Sequence, residues 1–522
     1  MKRNRIKLFM LTAATAVLAV SCTDLEIEAT DSIIDESTAT GGTFNGVEDP
    51  QASIDNIYNG FNGIGDQANF YALQEVAGDY ELVPTRGTDW GDNGIWRTLH
   101  AHTWDPGHQY VLNVWNNWNQ RLFLASEVLD SRSNASADEI ADASFLRAFS
   151  TWVIMDMYGQ VPFRPVDAGP QENPTVRTRT EALADVLADI DVAIAGLPSV
   201  AAGDVDNQSR ASKATARFLK ARVLLNAHVY DGTGTPSSAN MQEVIDLVDE
   251  IAAEGYALED DFFNIFEQSA DTETIWWLPT GVGNRIWNGM HYNIVSPDNG
   301  GGGWNGFCVL SDFYDSFEGP ADTNRAGNGQ EERRGFVPNP ADGNIEETGG
   351  VGFGFLVGQQ YGADGEPLTT RSGQPLQFTK ELPGLVGNGE DTGIRTIKYH
   401  PLGDGGSFRA HEIIFRYADA HLMKAEAMLR NGGDATAMVN ELRVLRDATP
   451  LGTATLDDIL AERGRELYKE AIRRTDLIRF DQFTKDWQFK NPDAVGDANR
   501  NLFPIPTLAL LSNPNLVQNP GY

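Results

Sequence analysis

Cysteine is almost missing from this 522-residue chain, which has only Cys22 and Cys308. Two cysteines exclude a disulfide framework and a Cys-based zinc site. Positive charge is also scarce: 40 Lys and Arg stand against 74 Asp and Glu, a formal net charge of −34. That field repels polyphosphate and argues against nucleic-acid binding. It also disfavours polyanionic ligands unless a metal or a local basic pocket intervenes. The eight histidines show no metal-ligand spacing, and no G-x-S-x-G, H-E-x-x-H or P-loop motif occurs. Asp322-Thr-Asn-Arg-Ala-Gly327 begins like a calcium loop. It lacks an oxygen ligand at its fifth position and carries Arg333 at its twelfth, so it is not an EF-hand. No apolar run is long enough to cross a bilayer. What the chain does have is a hydrophobic content of 41%, enough for a core, and 52 glycines, which point to long loops.

The N-terminus reads as an address. Lys2, Arg3, Arg5 and Lys7 precede an apolar run from Leu8 to Val20, which ends in Ala19-Val20-Ser21-Cys22. This is a secretory signal whose cleavage site falls at a cysteine. It resembles the lipobox of bacterial lipoproteins, with Ala19 where Leu is usual. The resemblance implies removal of residues 1–21 and lipidation of Cys22, leaving Cys308 as the sole thiol. The mature chain would then carry 36 basic and 74 acidic residues, a charge of −38. Residues 22–45 are acidic and aperiodic, as a solvated tether would be. Their acidic start resembles the surface-export signal of Bacteroidetes lipoproteins.

Apolar residues at helical spacing mark the body at both ends. Ile54, Ile57, Tyr58 and Phe61 predict one helix, and Val111, Val114, Trp115, Trp118, Leu122, Ala125 and Leu129 a second. Ser136 to Tyr158 is a third, with Ser136 and Glu139 as a capping box and Gly159 as its stop. Thr180–Ala195, Ser209–Tyr230, Ala418–Leu429, Asp434–Asp447 and Leu456–Phe480 follow. Several pair as helix–turn–helix, which resembles tetratricopeptide (TPR) packing without a strict 34-residue repeat. Between about 256 and 410, Gly, Pro, Asn and aromatics take over, with short strand-like pieces such as Glu273–Leu278. The expected organisation is one domain, 46–522. Its helices lie mainly in 50–255 and 411–480, and its loop-rich lobe in about 256–410.

Five segments carry a family resemblance. Ser144-Phe-Leu-Arg-Ala-Phe149 with Met157-Tyr-Gly-Gln-Val-Pro-Phe163 is the first. Arg210-Ala-Ser-Lys-Ala-Thr-Ala-Arg-Phe-Leu-Lys-Ala-Arg222 is the second, and Arg416-Tyr-Ala-Asp419 with Leu422-Met-Lys-Ala-Glu-Ala427 the third. The fourth places Glu462, Arg463, Glu466, Leu467, Glu470, Ala471, Arg473, Asp476, Leu477, Arg479 and Phe480 in one run. The fifth is Pro504-Ile-Pro506 with Asn513-Pro-Asn-Leu516 and Gln518-Asn-Pro-Gly-Tyr522. Together with the lipidation signal, the chain resembles the SusD/RagB family of Bacteroidetes. It departs at Ala471, where the family usually has Gly. The resemblance implies a mainly α fold: a TPR-like α-α superhelix of four helix pairs with an irregular lobe that binds glycan or peptide. It further implies a non-catalytic lipoprotein on the outer face of the outer membrane, sitting over a SusC-type TonB-dependent porin. No cofactor is implied, and a structural calcium ion is left open.

The carboxylates of the fourth segment follow i, i+4, i+8 and i+11, with Asp476 and Arg479 as i, i+3 partners. That spacing reads as a partly buried ion-pair network along one helix, not as acid–base machinery. The tryptophans point elsewhere. Five of the eleven fall between 90 and 118 and four between 276 and 304. Trp115, Trp118, Trp152 and Trp487 read as core. The loop RGTDWGDNGIWRTLHAHTWDPGH holds Trp90, Trp96 and Trp104, and NRIWNGMHYNIVSPDNGGGGWNGF holds Trp287 and Trp304. Indole faces stack on the apolar faces of sugar rings, while Asp, Asn and Arg hydrogen-bond hydroxyls. Trp276 and Trp277 are neighbours on a strand and face opposite ways. The candidate glycan contacts are Asp89, Trp90, Asn93, Trp96, Trp276, Trp287 and Trp304. Three functions follow: capture of a neutral glycan such as the β-glucan laminarin, capture of an anionic glycan or peptide, or surface glycoside hydrolysis.

Overall fold

A computed structural model describes residues 44–169, 172–266, 270–295, 301–402 and 411–522. The signal 1–21, Cys22 and all but the last two residues of the 22–45 tether lie outside them. The chain divides into two compact units, residues 1–44 with 169–171, and residues 45–168 with 172–522. Every element below belongs to the second.

Thirteen helices matter here. They are α1 Pro50–Gly60, α2 Asn69–Gln74, α3 Ile95–His100, α4 Gln109–Leu129, α5 Ala137–Tyr158, α6 Arg179–Gly196, α7 Lys213–Tyr230 and α8 Ser238–Ala253. Then come α9 Gly283–Gly289, α10 Tyr417–Arg430, α11 Thr436–Leu445, α12 Leu456–Leu467 and α13 Arg473–Arg479. The capping signals act as read. Ser136 and Glu139 close a capping box on α5, and Gly159 ends it at φ +71°. Thr178 with Glu181 caps α6, and Thr455 with Asp458 caps α12. The sequence reading names no helix at 238–253. The structure adds α8, which Ser237 caps and which buries Met241, Val244, Leu247, Val248 and Ile251 on one face.

Packing runs down the chain. Helices pair as α1 with α4, α5 with α6, α7 with α8, and α10 with α12. Contacts of α4 with α5, α6 with α7 and α8 with α10 stack these four pairs into a TPR-like array. Helix α5 is apolar almost all round because it is covered on both sides.

Eleven short strands make antiparallel pairs. β1 Glu81–Leu82 pairs β5 Cys308–Val309, and β2 Gln160–Phe163 pairs β3 Thr175–Thr178. β4 Thr274–Leu278 pairs β11 Glu412–Arg416, and β8 Gly358–Gln359 pairs β9 Gln377–Phe378. β7 Phe353–Leu356 lies between β6 Gly335–Phe336 and β10 Arg395–Ile397. A second core, separate from that of the helices, gathers Phe262, Phe266, Phe313, Phe355 and Tyr468 beside the strands from β6 to β10.

One expected helix, Leu456–Phe480, is two. Lys469 and Ala471 adopt left-handed backbone at φ +63° and +58°, and the chain turns between α12 and α13. The acidic stripe is therefore not a stripe. Glu462 and Glu466 lie on α12, Glu470 in the turn, and Arg473 opens α13. They are ion-paired nevertheless, to side chains from across the fold. Arg333 bonds Glu331, Glu462 and Glu466 at 3.0, 2.6 and 3.1 Å. Arg416 bonds Glu273, Glu466 and Glu470 at 2.8, 2.8 and 2.7 Å. Arg446 adds Glu273 and Glu466. Asp476 pairs Arg479 at 2.7 Å, as its spacing predicts. This buried network ties lobe to helices, and its charges are tolerated because each is matched.

Candidate functional site

Asp89 and Arg86 exchange backbone hydrogen bonds of 3.1 and 2.9 Å across a tight turn. The chain then enters left-handed backbone at Trp90, Asp92, Asn93 and Gly94. Asp, Asn and Gly adopt it readily, whereas for Trp90 it costs on the order of 1 kcal/mol. Three contacts hold Trp90 there. Arg97 donates to the carbonyls of Trp90 and Gly91, each at 3.0 Å. The indole N–H donates to the Trp304 carbonyl at 2.8 Å. The Trp90 ring also lies against Gly306, where a Cβ would come within 2.4 Å of it. Trp96 and Phe307 meet that ring edge-on, at 6.1 and 6.0 Å.

The second loop starts at α9, which carries Trp287. The chain runs out to Val295, which bridges Gly302. On the way back Gly303 N–H donates to His291 C=O at 2.9 Å, and Trp304 N–H to Trp287 C=O at 2.7 Å. Trp90, Trp304 and Trp287 are thus threaded on one run of main-chain acceptors. Trp90 and Trp287 are half-buried, and Trp304 is exposed at 41% of its surface.

A polar cluster adjoins them. Asp89 Oδ2 accepts from Tyr292 Oη at 2.5 Å and Arg371 Nη2 at 3.1 Å. Arg371 Nε donates to Glu390 Oε1 at 2.5 Å, and its guanidinium lies 3.8 Å above the Tyr292 ring. His291 Nε2 donates to Glu390 Oε2 at 3.1 Å, while its Nδ1 accepts from Asn293 N–H. Burial pushes the His291 imidazole down to about 4, against the pull of Glu390, so it is neutral at pH 7. The Tyr292 hydroxyl and Arg371 hold the Asp89 carboxyl below its ordinary value. Burial works against ionisation of Glu390, but the hydrogen bonds from Arg371 outweigh it and lower its pKa too. At neutral pH the exposed trio of Asp89, Glu390 and Arg371 carries two carboxylates and one guanidinium, and behind it the buried Arg395 donates to the Glu390 carbonyl at 2.9 Å.

Two expected contacts are corrected. Trp276 has no exposed surface and sits among Phe61, Phe145, Phe149 and Phe415, with centroids 5.2 to 6.2 Å away. It is core because the inward face of β4 looks into the helices. Trp96 is 3% exposed; it donates to Asp92 Oδ2 at 2.9 Å and packs on Tyr110 and Phe307, supporting Trp90 from below. Trp104 is also buried, donating to Tyr522 Oη at 2.7 Å. Asp89, Trp90, Trp287 and Trp304 are brought together, and Asn93 is exposed three residues after Trp90. Sequence reasoning missed Tyr292, His291, Arg371 and Glu390. The first two stand inside the second loop and could have been found there; Arg371 and Glu390 carry no local signal. A separate cavity of about 660 Å³, lined by Phe263, Glu332, Phe336, Phe353 and Asp447 among others, contains none of the expected residues. Among the described residues no group of three or more His, Cys, Asp or Glu is placed to hold a metal ion.

A stacked helical scaffold with a loop-rich lobe defines the fold class. Residues 272–522 match the sequence profile of the SusD family. The starch-binding protein SusD of Bacteroides thetaiotaomicron is 25% identical over 477 residues, covering 83% of this chain and 82% of that protein. A SusD-like protein from Bacteroides fragilis superposes with a TM-score of 0.67 at 19% identity, covering 94% of this chain and 99% of that one. A laminarin-binding SusD-like protein superposes with a TM-score of 0.64 at 19% identity, covering 92% and 100%. The SusD family match covers residues 272–522, just under half of the chain. Among the described residues no helix is long and apolar enough to cross a membrane.

Proposed function

We propose that this protein is a cell-surface glycan-binding lipoprotein that captures a neutral glucan of the laminarin type and passes it, uncut, to a SusC-type TonB-dependent transporter. The observation that carries the reading is the threading of Trp90, Trp304 and Trp287 together beside an exposed polar trio of net negative charge. Indoles take the apolar faces of sugar rings, and carboxylate and guanidinium edges take hydroxyls. A negative trio on an acidic protein disfavours uronates and sulfates. Starch binding by SusD and laminarin binding by the structural neighbour support a neutral glucan. The transporter rests on the family resemblance, and the anchor on Cys22. Affinity electrophoresis of the purified protein tests the ligand: retarded migration in laminarin is expected, with none in alginate. Unretarded migration in laminarin and every other neutral glucan would refute the reading, and release of reducing sugar would restore the hydrolase.

A further inference from the structure

We infer that Arg371 is a hydrogen-bond donor to the glycan, that Asp89 and Glu390 cancel its charge in place, and that this pairing restricts the site to uncharged glycans. The inference rests on the neutral-glucan reading and names a determinant of it.

Arg371 stands on a tight turn in which Thr370 N–H donates to Gln374 C=O at 2.7 Å and Gly373 N–H to Thr370 C=O at 2.9 Å. Its side chain is half exposed. A guanidinium has five N–H groups in a rigid fork. One edge, Nε with Nη2, is taken by Glu390 and Asp89. One face is held over Tyr292 at 3.8 Å. The remaining edge, with Nη1, makes no hydrogen bond among the described residues. Three restraints therefore fix a donor edge in advance, beside Trp90 through Asp89 and beside the Trp287–Trp304 loop through Tyr292. A preset donor loses little side-chain entropy when a hydroxyl arrives. Orienting the guanidinium takes one carboxylate. The second does more: with His291 neutral and Arg395 buried behind the Glu390 main chain, it leaves the exposed trio with one carboxylate more than Arg371 balances. An anionic sugar brought to this edge meets a guanidinium already neutralised and a surplus carboxylate, which is a repulsive element against the wrong ligand.

The test compares three variants of the full-length protein by affinity electrophoresis in laminarin and in alginate, with melting temperature measured for each. Arg371→Met is expected to lose about tenfold in laminarin affinity, the weight of one charged hydrogen bond, at nearly unchanged melting temperature. Asp89→Asn with Glu390→Gln keeps the shape but shifts the exposed trio from −1 to +1. It is expected to raise affinity for alginate relative to laminarin by about tenfold. Asp206→Asn with Asp457→Asn, two exposed positions elsewhere, makes the same change in total charge and is expected to gain nothing. Wild-type laminarin affinity in Arg371→Met, or no gain for alginate relative to laminarin in the paired variant beyond that of the control, would overturn the inference while leaving the glucan reading intact. A wild-type protein that no neutral glucan retards would overturn both.

Discussion

Trp304 and Trp276 carry the same side chain in opposite surroundings. Trp304 exposes 41% of its surface on a loop whose main chain is pinned at Trp287 and Trp90. Trp276 is fully enclosed by four aromatic rings. Truncating each should separate function from stability. Trp304→Ala is expected to weaken laminarin binding by tenfold or more while shifting stability by less than about 1 kcal/mol. Trp276→Ala is expected to lose about 3–5 kcal/mol, as large cavities in aromatic cores do. Denaturant titration together with affinity electrophoresis reads both, and stability loss in Trp304→Ala comparable to that in Trp276→Ala would contradict the assignment. Loop composition alone was enough to single out Trp90, Trp287 and Trp304. It could not separate them from Trp96 and Trp104, which share the same loop style, because burial is set by Tyr110, Phe307 and Tyr522 arriving from elsewhere.

The turn between α12 and α13 shows what an element inherits from its neighbours. Hydrophobic spacing from 456 to 480 is consistent with a single helix. The chain breaks at 468–472 because distant side chains take over the main-chain N–H groups there. Glu75 Oε1 accepts from Ile472 N–H at 2.8 Å, and Tyr80 Oη accepts from Lys469 N–H at 2.8 Å. Both partners lie almost 400 residues away in the chain, beyond the reach of any local pattern. The break also puts Ala471 in left-handed backbone, which glycine adopts more easily than alanine. At φ +58° a Cβ is strained by about 1–2 kcal/mol. Ala471→Gly relieves that strain and gives up about 0.8 kcal/mol of methyl burial. The expected outcome is a net gain below about 1 kcal/mol, whereas Ala471→Val should lose more than about 2 kcal/mol, since β-branched residues fit left-handed backbone worst. Urea midpoints of the two variants check the order, and a Gly variant less stable than wild type by more than about 1 kcal/mol would contradict it.

At the scale of the whole molecule, the ionisable groups that folding buries set the response to acid. Burial holds His228, His291 and His400 at about 4. Their folded values lie below the ordinary 6.5, so they contribute stability above that value and lose it as pH falls from 6.5 through 4. The buried carboxylates lose theirs lower down. Burial opposes ionisation of Glu462 and Asp419, but Arg333 and Arg465 hold the first, and Arg463 and Arg222 the second, at about 2. That contribution is present above the ordinary carboxylate range and goes as pH falls towards 2. Glu75 and Glu332, pushed up by burial to about 7, and Asp142 and Asp271, pushed up by burial to about 6, work the other way as pH falls towards the ordinary carboxylate range. Calorimetric melting is expected to stay nearly level from about pH 6.5 to about 4.5, where the two sets oppose each other, and to fall steeply below about 4.5; a melting temperature that is flat or rising from about pH 4.5 to about 3 would contradict the scheme. By itself the sequence determined the helices with strong apolar spacing, their caps, the loop-rich lobe and the neighbourhood of the aromatic rim, because spacing, capping and composition act within a few residues. Only the tertiary structure decided which tryptophans face solvent, where α12 ends, and that Arg371 and Glu390 join Asp89. Each of those depends on groups from separate parts of the chain closing on one another, with burial and charge pairing fixed at the moment they meet.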